Sequence, residues 1–170
     1  VNNIVEKCIF AVENNDIVQE IINNKNAVLE SEKEILWKYR GFNCKGIIDR
    51  NAIESSIGGN TFSIVDIKTT EKPLHKYKWD FIYNKTYRQL AFYELGLLQL
   101  TDNYPSEHYV IVVTTGEYPT CKPFLVGREY INKGFEDIEK LLDRIEFHLS
   151  NGWDNSMETL NREIETLTPY

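Results

Sequence analysis

The chain has 170 residues, 42% of them apolar and 12% aromatic, with a formal net charge of −7. That is enough apolar content for one domain with its own core, and it excludes a disordered or low-complexity chain. No apolar run approaches membrane-spanning length, no signal peptide is visible, and three scattered cysteines, Cys8, Cys44 and Cys121, make neither a disulfide framework nor a zinc site. The expectation is a single domain over residues 1–170, cytoplasmic, with reduced thiols. The chain begins with Val1 rather than Met, so the domain is expected to be part of a longer chain extending N-terminally.

The pattern predicts two short helices over residues 4–24, the second capped by Asp16 and carrying Ile17, Val18, Ile21 and Ile22. A strand follows over 27–39, despite Glu30, Glu32 and Glu34, then a turn at Gly41 and a second strand over 42–50. Residues 51–60 read as a connection longer than a tight hairpin, ending in Ile57-Gly58-Gly59-Asn60. The third strand, 61–69, is apolar except for Asp66, as expected of a central strand covered on both faces. Pro73 stops it. A long helix is predicted over 81–100, with Leu90, Tyr93, Leu97 and Leu98 on one stripe. A buried strand over 109–115, a turn at Gly116 and Pro119, and an edge strand over 121–126 come next. An amphipathic helix over 128–149 turns Phe135, Ile138, Leu141, Leu142 and Ile145 inward. Gly152 ends it, Trp153 packs back, and an acidic tail helix spans 156–167. The order of α, three strands, α, two strands, α gives a mixed central β-sheet with helices on its faces.

Charge is unevenly placed. From Lys68 to Arg88 six Lys/Arg stand against two acids, a net of +4, whereas from Glu129 to the end ten acids stand against four Lys/Arg, a net of −6. The basic block adjoins two aspartates set in apolar strand-like runs, Asp49 and Asp66, with Lys68 two residues after the second. Asp and Lys disfavour strands and are rarely buried without a partner or a metal. Alternation turns Asp66 and Lys68 to one side, and a hairpin would bring Asp49 beside them. Hard carboxylate oxygens from Asp49 and Asp66, with the Ile67 carbonyl, suit Mg²⁺ or Mn²⁺ and phosphodiester hydrolysis. Lys68 would steady charge in the transition state. Glu32 or Glu34 can add a carboxylate. Gln89 and Tyr93 share one face of the long helix, and Lys72, Lys76, Lys78, Lys85 and Arg88 would hold DNA phosphates.

The run Gly46-x-x-Asp49, Asp66-x-Lys68, Gln89-x-x-x-Tyr93, with Cys44–Arg50, Val65–Thr70 and Tyr109–Thr115 around it, resembles the PD-(D/E)xK nuclease superfamily in its RecB-like branch, and most closely the nuclease domain of the exodeoxyribonuclease VIII (RecE) family. An Asp-x-Lys alone is a weak signal; the three motifs in this order are a stronger one. The resemblance implies a restriction-endonuclease-like αβββαβ core. It also implies a Mg²⁺-dependent exonuclease that digests linear double-stranded DNA from the 5′ end. Phage-type recombination, a single-strand annealing protein as partner and a ring-like homo-oligomer are implied as well. It favours Glu32, five residues before Trp37, as the third acid. Two departures stand out. Ile48 replaces the proline of the motif. The histidine carried upstream of the glutamate has no counterpart, because His75, His108 and His148 all lie downstream. The alternatives are a nuclease-derived nucleic-acid-binding module and a structure-specific endonuclease.

Overall fold

A computed structural model describes residues 2–152. Helices α1 (Asn2–Glu13) and α2 (Asp16–Ile22) lead into β1 (Ala27–Tyr39), β2 (Phe42–Ser56) and β3 (Gly59–Thr70). A single 3-10 turn, Leu74–Lys76, then precedes α3 (Tyr77–Tyr83), α4 (Thr86–Leu100), β4 (Tyr104–Pro105), β5 (His108–Thr114), β6 (Cys121–Val126) and α5 (Arg128–Asn151). The strands form a six-stranded sheet in the order β1-β2-β3-β5-β6, with β4 beside β3. It is mixed, because β3 runs parallel to β4 and β5 while the other neighbours are antiparallel. One face packs through Ile35, Ile48, Phe62, Ile64, Val110 and Val112 on α3, α4 and α5. The other packs through Val65, Ile111 and Val113 on α1 and α2. Ile64, Val65 and Ile111 are at most 1% exposed, as a strand covered on both faces requires.

Local chemistry explains the turns and corrects several sequence expectations. Arg40 and Gly41 link β1 to β2 with φ of 49° and 83°, the left-handed pair that a two-residue hairpin needs. Arg40 is held in that position by Glu139, Asp143 and Glu146 of α5 at 2.8, 2.7 and 2.6 Å. The expected long connection after Asn51 is instead strand. Pairing continues from Asn51–Ile64 to Ser56–Gly59 around a tight turn at Ile57–Gly58, because Asn51 and Ala52 are buried between two neighbours. The helix cap at α2 is Asn15, whose side chain accepts from Val18 N–H at 3.1 Å, and not Asp16, which begins the helix.

The single helix expected over 81–100 is two. Lys85 adopts φ 55°, which turns the chain between α3 and α4 where neither Pro nor Gly marks a break. On α4, Glu94 is fully buried and Leu98 is 40% exposed, so the inward stripe is Leu90, Glu94 and Leu97. On α5, Leu141 is exposed. A Cβ on Gly134 would lie 2.5 Å from Ala91 Cβ and 2.8 Å from the Tyr87 carbonyl, so glycine there sets the close approach of α5 to α4. Trp153 and the tail helix lie outside the described residues.

One irregularity positions the site. Ile48 and Ile53 both pack on the α4 side of the sheet, although they are an odd number of residues apart, so the inside–outside alternation of β2 slips once between them. Directly across on β1, Glu32 has φ 49°. The β1–β2 ladder keeps one offset on both sides of Glu32 and Asp49 but skips that pair. Beyond the slip, β2 leaves β3: their pairing ends at Arg50–Val65. The hairpin tip packs on α4 instead, through Gly46 against Tyr93 and Ile35 against Gly96.

Candidate active site

The site sits where β2 parts from β3. A strand residue directs its N–H and C=O to the same edge. Thr70 faces β5, since its carbonyl accepts from Thr115 N–H at 2.9 Å, so Ile67 faces the edge that β2 has vacated. Its N–H is taken there by Asp49 Oδ2 at 2.8 Å, and its carbonyl opens to the same gap. Asp66 is 1% exposed. Lys68 Nζ donates to its Oδ1 at 2.8 Å, while Oδ2 is buried with no hydrogen-bond partner. Burial pushes the Asp66 carboxyl above the usual range; Lys68 pulls it down in part, and the charge of Asp49 adds to the rise.

Helix α4 supplies the next layer. Gln89 Nε2 donates to Tyr93 Oη at 2.8 Å. Gly46 explains its own place before Asp49, because a Cβ there would lie 2.9 Å from the Tyr93 ring. Gln89 and Lys68 share a depression of about 300 Å³ with Tyr77, Asn84, Lys85 and Thr86. Sequence reasoning passed over Tyr77. Its hydroxyl is buried beside Thr86, and burial pushes it up to about 12, with Thr86 pulling it down in part and the nearby charge of Asp66 adding to the rise.

The other anticipated residues divide. Glu32 lies across from Asp49 in register but is exposed. Among the described residues, no three His, Cys, Asp or Glu side chains gather closely enough to hold a metal ion. The structure therefore brings together Asp49, Asp66, Lys68 and, through the shared depression, Gln89, and does not draw Glu32 in. Of the basic residues, Lys85 lines the depression. Lys72 pairs with Asp80 at 2.6 Å and Arg88 with Asp137 on α5 at 2.9 Å, whereas Lys76 and Lys78 are exposed. Burial opposes the charge of Asp137, yet bonds from Arg88 and Tyr87 hold its carboxyl down at about 2.

A buried charged network also escaped the sequence. His108 Nδ1 accepts from Ile64 N–H at 3.1 Å, which leaves Nε2–H to donate to Glu94 Oε2 at 2.7 Å. Arg128 grips the same carboxylate with both terminal nitrogens at 2.7 and 2.6 Å. Burial works to raise Glu94, but His108 and Arg128 hold it below the usual range. The network ties α4 to β3, β5 and the start of α5. The only sequence signal for it was a glutamate on the inward stripe of a helix.

The residues fit a hard divalent cation in kind: two aspartates, one with an orphaned buried oxygen, beside a backbone carbonyl at a vacated strand edge. No helix among the described residues is long and apolar enough to cross a membrane.

The mixed six-stranded sheet flanked by helices is consistent with a PDDEXK-like nuclease core. The chain belongs to the PDDEXK-like domain family of unknown function (DUF3799), whose model matches residues 2–157. Among solved structures it is similar to a "putative exonuclease" from Eubacterium rectale, with a TM-score of 0.62, 15% identity and 98% of this chain covered. The chain spans 63% of that structure's length. A second structure, SSO0001, aligns at a TM-score of 0.39 and 18% identity over 78% of this chain and 57% of its own. No curated protein matches the chain.

Proposed function

We propose that the chain is a metal-dependent deoxyribonuclease domain that digests linear double-stranded DNA from its ends, 5′ to 3′, as RecE-type exonucleases do in phage-type recombination. The observation that carries this reading is Asp66: a carboxylate 1% exposed, one oxygen on Lys68 and the other without a partner. Burying a carboxylate in that state costs free energy, and a fold retains such a cost most readily at a site of function. The printed description of the Eubacterium rectale protein as an exonuclease supports the reading by analogy of fold.

In this reading Asp49, Asp66 and the Ile67 carbonyl hold Mg²⁺ or Mn²⁺. A bound divalent cation supplies Lewis-acid neutralisation of phosphate charge. Lys68 places a positive charge, already fixed by Asp66, beside the reacting phosphate. Gln89 and Tyr93 orient Lys68 and the strand, Glu32 adds a carboxylate at the rim, and Lys85 with Lys76 and Lys78 receives flanking phosphates. A single-strand annealing protein and a ring-like homo-oligomer are the partners this reading carries.

The test is digestion of end-labelled linear duplex beside a covalently closed circle. Mg²⁺ should support stepwise loss of the linear substrate and spare the circle. Asp66→Ala or Lys68→Ala should lower the rate by at least roughly 10²–10³-fold. Activity in excess EDTA, or cutting of the circle, overturns it. The exposed Glu32 favours a second reading, a nuclease-derived nucleic-acid-binding module without turnover. DNA binding that needs no Asp66 and comes with no Mn²⁺ binding would support that one.

A further inference from the structure

Asn51 is the residue on β2 that the mechanism above does not use. It is 1% exposed. Its amide cannot be turned round freely, because Nδ2 donates to Glu30 Oε2 at 2.9 Å. Glu30 is itself fixed through Oε1 by Lys33 Nζ at 2.5 Å. With the nitrogen committed to a carboxylate, the amide oxygen must face away from Glu30, and there it has no hydrogen-bond partner. A buried acceptor left in that state costs about 1–3 kcal/mol, and each such group calls for an explanation.

The register supplies one. Asn51 pairs across the ladder with Ile64. Ile53 and Ile64 both pack on the α4 side, so Asn51 lies on that side, and so does Asp66, two residues beyond Ile64. Asn51 and Asp66 are therefore diagonal neighbours on one face of adjacent strands. Diagonal Cα atoms lie roughly 7–8 Å apart, a span that two short side chains meeting on one ion with bonds of about 2.1 Å can close. Both residues present a buried oxygen without a donor. Two buried acceptors on one face of neighbouring strands are stabilised by a cation or a donor that reaches both.

We infer that Asn51 Oδ1 is a neutral oxygen ligand to the divalent cation held by Asp49 and Asp66, with Glu30 as the positioning residue that fixes the amide. The inference rests on the metal-site reading above. It gives the site a fourth oxygen from the sheet, after Asp49, Asp66 and the Ile67 carbonyl, without the further negative charge that Glu32 would bring. Mg²⁺ and its relatives take amide carbonyl oxygens as well as carboxylates.

The experiment is Mn²⁺ titration by calorimetry of the wild-type chain, Asn51→Leu and Glu30→Gln, with a thermal melt in EDTA to establish that each variant is folded. Asn51→Leu should weaken Mn²⁺ binding by at least tenfold while still melting cooperatively in EDTA, because the loss of the Nδ2 bond to Glu30 is offset by removal of an unpartnered oxygen. Glu30→Gln should weaken binding by less. Equal Mn²⁺ affinity of wild type and Asn51→Leu overturns the role of Asn51 and leaves the metal site standing. Absence of Mn²⁺ binding in the wild type overturns both. Should Asn51→Leu not fold, Asn51→Ala decides, since it removes the same oxygen without adding bulk: Mn²⁺ binding at least tenfold weaker than wild type is expected, and unchanged affinity refutes the assignment.

Discussion

Gly46→Ala tests the link between the Gly-x-x-Asp motif and α4, and the sign of its effect is informative. Gly46 is not among the residues with positive φ, so alanine is permitted by the backbone. On that count alone it would stabilise the protein by about 0.4–1 kcal/mol through the unfolded state. The added methyl would, however, lie 2.9 Å from Cδ1 and Cε1 of Tyr93 and 3.3 Å from Ile35 Cγ1. A ring cannot retreat as the end of a flexible chain can, and it is bonded to Gln89 at 2.8 Å. Overpacking of this kind costs about 1–3 kcal/mol, so the net expectation is a loss of about 1–2 kcal/mol. Urea denaturation should show a lower midpoint with an unchanged slope. In a Tyr93→Ala background the same substitution should cost almost nothing, giving a coupling energy of about 1–2 kcal/mol between the positions. A Gly46→Ala variant more stable than wild type, or one whose cost is the same with and without Tyr93, would refute the argument that this glycine exists to admit the ring.

Three further outcomes follow from the same contacts. Asp137, held down at about 2 in the folded chain, titrates near 3.9 when unfolded. The stability it contributes is therefore complete above the unfolded value and lost as pH falls through about 2. The difference in stability between wild type and Asp137→Asn, followed by denaturation at several pH values, should be constant above about pH 5 and shrink from about pH 4 downward; a difference that grows on acidification contradicts it. Asp66→Asn removes a buried charge that the fold does not fully compensate, so its melting temperature in EDTA should equal or exceed wild type while Mn²⁺ no longer raises it. Arg128→Ala strips two bonds from the fully buried Glu94. Because Arg128 is itself 49% exposed, the loss should be about 1–3 kcal/mol by chemical denaturation, below the 3–5 of a wholly buried pair.

The chain's own pattern carried the order of elements, the mixed sheet and the shared side of Asp66 and Lys68 because those signals are local. Apolar runs with period two, a charge at a fixed offset and Gly-rich punctuation need only neighbours in sequence. The misses needed partners distant in sequence. Residues 51–56 look like loop because Asn, Glu and Ser disfavour strands, yet ladders on both sides hold them. The break at Lys85 has no Pro or Gly to announce it and rests on one left-handed residue. Glu94 on an inward stripe is unreadable without His108 and Arg128, which lie 14 and 34 residues away. The ion pairs of Lys72 with Asp80 and of Arg88 with Asp137 are likewise invisible in the basic run that holds both cations.

What separates the candidate site from the rest of the core is where polar burial goes unsatisfied. Glu94 shows how this chain buries a carboxylate for structure: no exposure and three bonds, from His108 and Arg128, closing around it. Among the described residues buried side-chain polar atoms lack a partner on Trp37, Asn51 and Asp66, and the Tyr77 hydroxyl is buried beside Thr86. Trp37 lies in the core. Asp66 stands where β2 leaves β3, Asn51 one diagonal step back along the ladder, and Tyr77 in the depression that Lys68 also lines. The strained backbone of Glu32 stands on β1 opposite the same gap. A sequence selected only for stability would replace such groups or bond them, as it does at Glu94. The orphaned oxygens of Asp66 and Asn51 lie on neighbouring strands near a lysine that is two-thirds buried and already paired, so the metal titration is a more searching test of the proposed site than any measurement of the fold.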